Sequence, residues 1–299
     1  MSHHLKLCTT LSALTVLGMV PIAGGADALK LEVYNPDVKS IFPYSSELVI
    51  GRTEVVLIDA QFQRSDAEVL VQKIKATGKK LTTVYISHSD PDYYFGLDVI
   101  RAAFPDARIV ATPQTVAAIR ASKDRKLSYW APILKGNAPK ELVVPEPLTG
   151  DTIALDGHRL HIVGLNGPDP ERTFVWIPDM RTVAGGIPVF GNMHVWIADT
   201  QSVESRVNWL NILDRIEALK PVAVIPGHYL LYANGEAPTA PEVVAFTRQY
   251  LEVFEKQAAN AKDAAALIAT MKAMYPDLGG EELLQLSAKV IKGELKWPQ

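Results

Sequence analysis

Cysteine is almost missing from this chain: of 299 residues one is Cys8, and it stands in the first apolar segment rather than in the body of the sequence. That excludes a disulfide framework and leaves His, Asp and Glu as the side chains able to hold a metal. A basic surplus is missing too. With 30 Lys and Arg against 33 Asp and Glu, the formal net charge is -3, and nothing is provided to neutralise a phosphate backbone. Nucleic acid is therefore not an expected partner. No repeat and no low-complexity linker divides the chain. What is abundant is apolar content, 48%, enough for a sizeable core in one large domain or two modest ones.

The first residues depart from that composition. Lys6 precedes an apolar run from Leu7 to Ile22, followed by Ala23-Gly24-Gly25 and Ala26-Asp27-Ala28. This reads as a secretory signal over residues 1–28 with cleavage after Ala28, which implies a periplasmic or secreted protein and no membrane association once the segment is removed. The run is short for a spanning helix and is broken by Thr9, Thr10, Ser12 and Pro21.

Beyond the signal, Leu31 to Tyr34, Glu47 to Ile50 and Val55 to Ile58 have strand character. Ser65 and Glu68 form a capping box ahead of Ala67, Leu70, Val71 and Ile74, whose spacing predicts a helix to about Gly78. Leu81 to Ser87 is the next strand. A helix near Leu97 to Phe104, a strand at Arg108 to Ala111 and a helix from Pro113 to about Ser122 continue an alternation that implies parallel β-α-β units. Thr152 to Leu155, Arg159 to Val163 and Thr173 to Ile177 return to strand texture and predict a second sheet. A helix over Val203 to Leu219 leads to a strand at Val222 to Ile225 and then to Pro226-Gly227-His228. From Pro238 on the pattern is helical, with breaks near Tyr275-Pro276 and Gly279-Gly280. We read 29–237 as the main domain and 238–299 as a helical extension packed on it, with a homodimer contact or a lid as the alternative role for that tail.

The chemistry concentrates after the Leu81 to Ser87 strand, in His88-Ser89-Asp90-Pro91-Asp92-Tyr93-Tyr94-Phe95-Gly96. In an extended loop alternate residues share a side, so His88, Asp90 and Asp92 could converge on a divalent cation. The alternative is a polar loop whose Asp side chains cap the helix at Leu97. From Glu47 to Tyr229 the chain resembles the metallo-β-lactamase superfamily. The resemblance rests on this loop, on the strand ending at Asp59, on Gly96, on Gly150-Asp151-Thr152, on Trp176-Ile177-Pro178 and on Pro226-Gly227-His228.

That resemblance implies an α/β fold, the αββα sandwich, with a metal site at the edge of the sheets. Against the superfamily pattern H-x-H-x-D-H, His88 matches the first histidine, Asp92 the aspartate and His228 the last separate histidine. Asp90 stands for the second histidine and Tyr93 for the motif's last. Asp169 falls where a third separate histidine belongs, and Gly186 where a bridging aspartate belongs. The implied set is thus one divalent ion, zinc with manganese or iron as alternatives, on His88, Asp90, Asp92 and His228, with Asp169 in addition.

The resemblance implies a metal-dependent hydrolase of an ester, thioester, lactone or similar small molecule, with Asp92 orienting water. His194 is a second catalytic candidate, set against a histidine satisfied by nearby backbone. The contrasting reading is a binding protein that keeps the fold and has lost the metal. Tyr93, Tyr94, Phe95, Trp130 and Trp196 could rim the site or fill the core. The basic run Arg120, Lys123, Arg125 and Lys126 reads as a solvated helix end, and His158 and His161 as structural.

Overall fold

A computed structural model describes residues 28–167 and 169–297. The signal-like segment, apart from Ala28, lies outside the described residues. The first half of the fold contains β1 (Lys30–Tyr34), β2 (Ser46–Ile50), β3 (Glu54–Ile58), α1 (Arg64–Ala76), β4 (Lys80–Ile86), α2 (Pro91–Tyr94), α3 (Leu97–Ala103), β5 (Arg108–Ala111), α4 (Pro113–Leu134) and β6 (Glu146–Pro147). Its strands pair in chain order, antiparallel from β1 to β3 and parallel from β3 to β6. The second half adds β7 (Thr152–Leu155), β8 (His158–Val163), β9 (Phe174–Ile177), β10 (Thr182–Ala184), β11 (Phe190–Gly191), α5 (Val203–Ala218), β12 (Ala223–Val224) and β13 (His228–Tyr229). Here β12, β10, β9, β8 and β7 form a second sheet, while β11 and β13 pair separately in parallel.

Strand alternation explains why the sheets face each other. Val49, Val56, Ile58, Tyr85 and Val110 project from the first sheet into one apolar cluster with Ile153, Leu155, Leu160, Ile162, Val175 and Ile177 of the second. The intervening residues Leu48, Val55, Leu57, Val84 and Ile86 project the other way, onto Leu70 and Ile74 of α1, Leu97 and Ile100 of α3 and Val116 and Ile119 of α4. Trp209, Ile212, Leu213 and Ile216 of α5 cover the outer side of the second sheet near Phe174, Val183 and Val224. The result is the αββα sandwich.

The C-terminal helices α6 (Glu242–Asn260), α7 (Ala264–Met274) and α8 (Glu281–Ile291) contribute Val244, Tyr250, Phe254, Leu267, Met271 and Leu284 to the core cluster of α5. Their apolar faces are spent on the main domain.

Local details depart from the sequence reading. At α1 the residue before the helix is Gln63 and no side chain caps it, so the Ser65–Glu68 box does not form. Helix α4 runs twelve residues past Ser122, to Leu134, and carries Pro132 inside its last turn. The basic run is therefore mid-helix and not a helix end. Tyr93, Tyr94 and Phe95 are buried rather than rimming an opening, and Trp130 packs edge-on against Phe42 and Phe62.

Candidate functional site

The site is assembled where β3 and β4 end and where β13 begins. Asp59 follows β3 with a left-handed backbone, φ 61°, which turns its carboxylate under the motif loop. It accepts hydrogen bonds from Tyr44 Oη at 2.5 Å, Ser87 N at 2.7 Å and Ser87 Oγ at 2.6 Å. Ser87 Oγ in turn accepts from Gly186 N at 2.8 Å. One buried carboxylate thus ties together three separate segments. Burial pushes the Asp59 carboxyl up to about 7 against the opposing hydrogen bonds, and Asp92 adds to the rise. Glu47, on the neighbouring strand, is pushed up to about 8 by burial and by Asp59.

The motif loop is not extended throughout. His88 and Asp90 stay together, with Asp90 N–H donating to His88 Nδ1 at 3.3 Å and the carboxylate 3.5 Å from the same nitrogen. Pro91 then takes the first helical position of α2, a place its fixed φ suits, and the chain turns. Asp92 lands within this turn and faces His228, whose Nε2 lies 2.8 Å from Asp92 Oδ2 with the ring N–H donating. Both side chains are more than nine-tenths buried. Neither Asp90 nor Asp92 caps a helix: the residues ahead of α2 and α3 are Asp90 and Gly96, without side-chain cap bonds.

His228 opens β13 opposite Phe190, whose ring stacks on the imidazole at 5.1 Å and 9°. Tyr44 and Tyr93 close in at 5.0 and 6.1 Å, and Tyr93 also meets His88 at 5.1 Å. Tyr93 therefore stands among the ligand candidates, at the position the superfamily gives to a histidine. Its hydroxyl is buried without a partner, and burial, then Asp92 and Asp90, push its ionisation well above the ordinary range. It is a neutral donor, not a phenolate.

Two cations of the chain reach into this cluster. Lys126 of α4 donates to Asp90 Oδ1 at 3.0 Å and to the Ser89 carbonyl at 2.8 Å. Burial works to raise the Asp90 carboxyl, but Lys126, His88 and His228 outweigh it and hold it at about 2. Arg172, itself buried, donates from Nε to Asp169 Oδ2 at 3.2 Å and from Nη2 to Thr200 Oγ1 at 3.0 Å, with its guanidinium 4.1 Å over the Trp209 ring. Asp199, which the sequence reading did not single out, belongs here too. Burial raises its carboxyl, Arg172 and His88 pull it down, and Asp90 pushes it up. No motif signals Asp199, because its neighbours in the site come from other elements.

These contacts decide whether the residues suit a divalent ion. Asp90 is bound to Lys126 and Asp169 to Arg172. His88 and Asp90 form one pair, Asp92 and His228 another, and among the described residues no three His, Cys, Asp or Glu side chains converge as a metal-binding group. The bridging position is closed by backbone geometry. Gly186 has φ 81°, and a Cβ there would meet the Thr173 carbonyl oxygen at 2.1 Å, so no side chain fits. The donor set as folded does not fit a metal.

His194 is placed elsewhere. Its Nδ1 is 2.8 Å from Tyr250 Oη of α6 and its amide donates to the Gly279 carbonyl at 2.9 Å. Its imidazole is lowered by burial, while the charges acting on it are Glu281 and Lys272. No motif residue is among its partners, so its candidacy as a catalytic group gives way to that of a satisfied core histidine. His158 bonds Asp179 at 2.6 Å and His161 lies 3.5 Å from Thr152 Oγ1.

Comparison with known proteins agrees with this architecture. The model of the metallo-beta-lactamase superfamily matches residues 42–228, more than half of the chain. A protein-glutamate methylesterase/protein-glutamine glutaminase of Nocardioides sp. is 24% identical over 254 residues, covering 76% of this chain and 68% of that protein. The solved structure of metallo-beta-lactamase IND-7 has a TM-score of 0.52 and 20% identity, covering 76% of this chain and 94% of its own. That of TMB-1 has a TM-score of 0.51 and 19% identity, covering 75% and 97%. At these identities the structural likeness concerns the fold alone.

Proposed function

The chain belongs to the metallo-β-lactamase superfamily, and we propose that it is an exported hydrolase of a small carbonyl-centred molecule, an ester, thioester or lactone, with the Asp92–His228 contact as its acid–base centre. The observation that carries this reading is that contact: a carboxylate in the α2 turn and an imidazole at the start of β13, 2.8 Å apart and buried together. Such a pair presents a carboxylate proton acceptor whose orientation is fixed by the neighbouring imidazole N–H. His228 fixes Oδ2 of Asp92, and Asp92 orients the attacking water, takes its proton as the water oxygen bonds the carbonyl carbon, and returns that proton to the departing alkoxide or thiolate as the C–O or C–S bond breaks. Tyr93 Oη and Arg172 Nη1 are buried donors without partners, and Tyr93 lies in the field of Asp92. They are the groups available to an oxyanion. Export is supported by the Leu7 to Ile22 run and the Ala26-Asp27-Ala28 sequence.

A second reading keeps one zinc, manganese or iron ion. It draws on the same 2.8 Å separation, close to the spacing of two ligands on one ion, and it requires Asp90 to leave Lys126. The test is a hydrolysis panel of p-nitrophenyl esters, thioesters and lactones run with chelator present. The proposal expects turnover that survives chelation and is lost in Asp92→Asn and His228→Asn. Turnover that persists in both variants, or that chelator abolishes, overturns it.

A further inference from the structure

We propose that Lys126 and Arg172 are built-in cations that replace a metal in this centre and actively keep divalent ions out. The inference deepens the reading above and rests on it for the identity of the centre. Four carboxylates, Asp90, Asp92, Asp169 and Asp199, are gathered around Tyr93 and Arg172. So many negative charges in a desolvated region require compensation, and a dication is the usual compensating charge in such a cluster. Here the compensation is covalent to the chain. Each carboxylate position has an assigned partner: Lys126 on Asp90, Arg172 on Asp169 and in the field of Asp199, and His228 on Asp92.

The fit of each cation argues that it is fixed. Lys126 is anchored by the Ser89 carbonyl as well as by Asp90, and only a fifth of its side chain is exposed. Its helix supplies the reach, because α4 continues past the motif loop instead of ending at Ser122. Arg172 is clamped between Asp169 and the face of Trp209, whose own Nε1–H is tied to the Pro188 carbonyl at 2.8 Å. An ion entering at Asp90 would stand beside an ammonium 3.0 Å from the same carboxylate, so it must displace Lys126 or meet its repulsion. Gly186 removes the remaining route, since a bridging carboxylate cannot be housed there.

Calorimetric titration of the purified chain with zinc chloride, and separately with manganese chloride, tests this directly. The wild type is expected to show no saturable stoichiometric binding. Lys126→Met, which keeps the alkyl stem and removes the charge, is expected to gain a single site at least about tenfold tighter, and adding His228→Asn is expected to abolish that gain. Lys126→Gln serves as a second variant should the methionine variant fail to fold, as judged by its melting transition. Stoichiometric zinc or manganese binding by the wild type overturns the proposal, as does a folded Lys126 variant that binds no more tightly than wild type. Should neither variant fold, the wild-type titration decides alone. The readout is binding, so a failed hydrolysis panel leaves it intact and the two readings can fail separately.

Discussion

His228 and His194 are both buried, yet they belong to regions of different character. Around His228 the packing partners are aromatic rings and the near charges are carboxylates, Asp92 in contact and Asp90 beyond it. Its Nδ1 has no partner. Around His194 the partners are a tyrosine of α6 and a backbone carbonyl, and its charges are a surface pair, Glu281 and Lys272. Burial of an imidazole therefore says little by itself. What separates a centre from a core position is a gathering of carboxylates nearby together with polar groups left unmet.

The sharpest way to break this contrast is by exchange. Asp92→Asn is expected to lower kcat/KM on any substrate found by about 10²- to 10⁴-fold, while His194→Asn leaves kcat/KM within about threefold of wild type. Equal losses at both positions would erase the distinction, and steady-state assays decide. Gly186→Asp, which writes the superfamily's acidic residue back into the chain, is expected to destabilise by about 3 kcal/mol or more, because the backbone is left-handed and the Thr173 carbonyl occupies the Cβ position. Urea denaturation measures this, and a stable variant that gains metal would refute the geometry.

A third prediction concerns pH. Glu47 and Asp59 have native values of about 8 and about 7 against ordinary values of 4.5 and 3.8, so the folded chain holds protons that the unfolded chain has released. Their contribution to stability is fully present below pH about 4 and is lost as pH rises through 7 to 8. Glu47→Gln is expected to flatten that loss by about 1–3 kcal/mol at pH 8, read from denaturation midpoints between pH 5 and 8. In the helical layer the effect is smaller: Tyr250→Phe removes one hydrogen bond to His194 and should cost about 1 kcal/mol without touching turnover.

The individual elements were legible in the sequence because they rest on local texture, whereas the αββα arrangement was implied by the superfamily resemblance. The β-rich runs Val55 to Ile58 and Leu81 to Ile86, helical spacing at Leu70 and Ile74, and Trp209 to Ile216 on one face each act within a few residues. The donors His88, Asp90, Asp92 and His228 were legible as residue types in a motif. Their arrangement was not. An extended loop would gather His88, Asp90 and Asp92 on one side, but Pro91 starts a helical turn and separates Asp92 from the other two. The partners of Asp90 and Asp169 depend on long-range packing: Lys126 comes from 36 residues away, and a run of basic residues with Asp124 and Ser122 looks like a solvated helix end until the helix is seen to continue. Gly186 reads as a lost ligand in sequence, and only its φ and the Thr173 carbonyl explain why a ligand cannot return.

Elemental analysis of the purified protein after exposure to zinc, manganese and iron and removal of excess ion tests the central claim most directly. The account predicts no stoichiometric metal, with Asp92 and His228 still bonded to each other. A retained equivalent of any of these ions, lost in Asp92→Asn or His228→Asn, would contradict it.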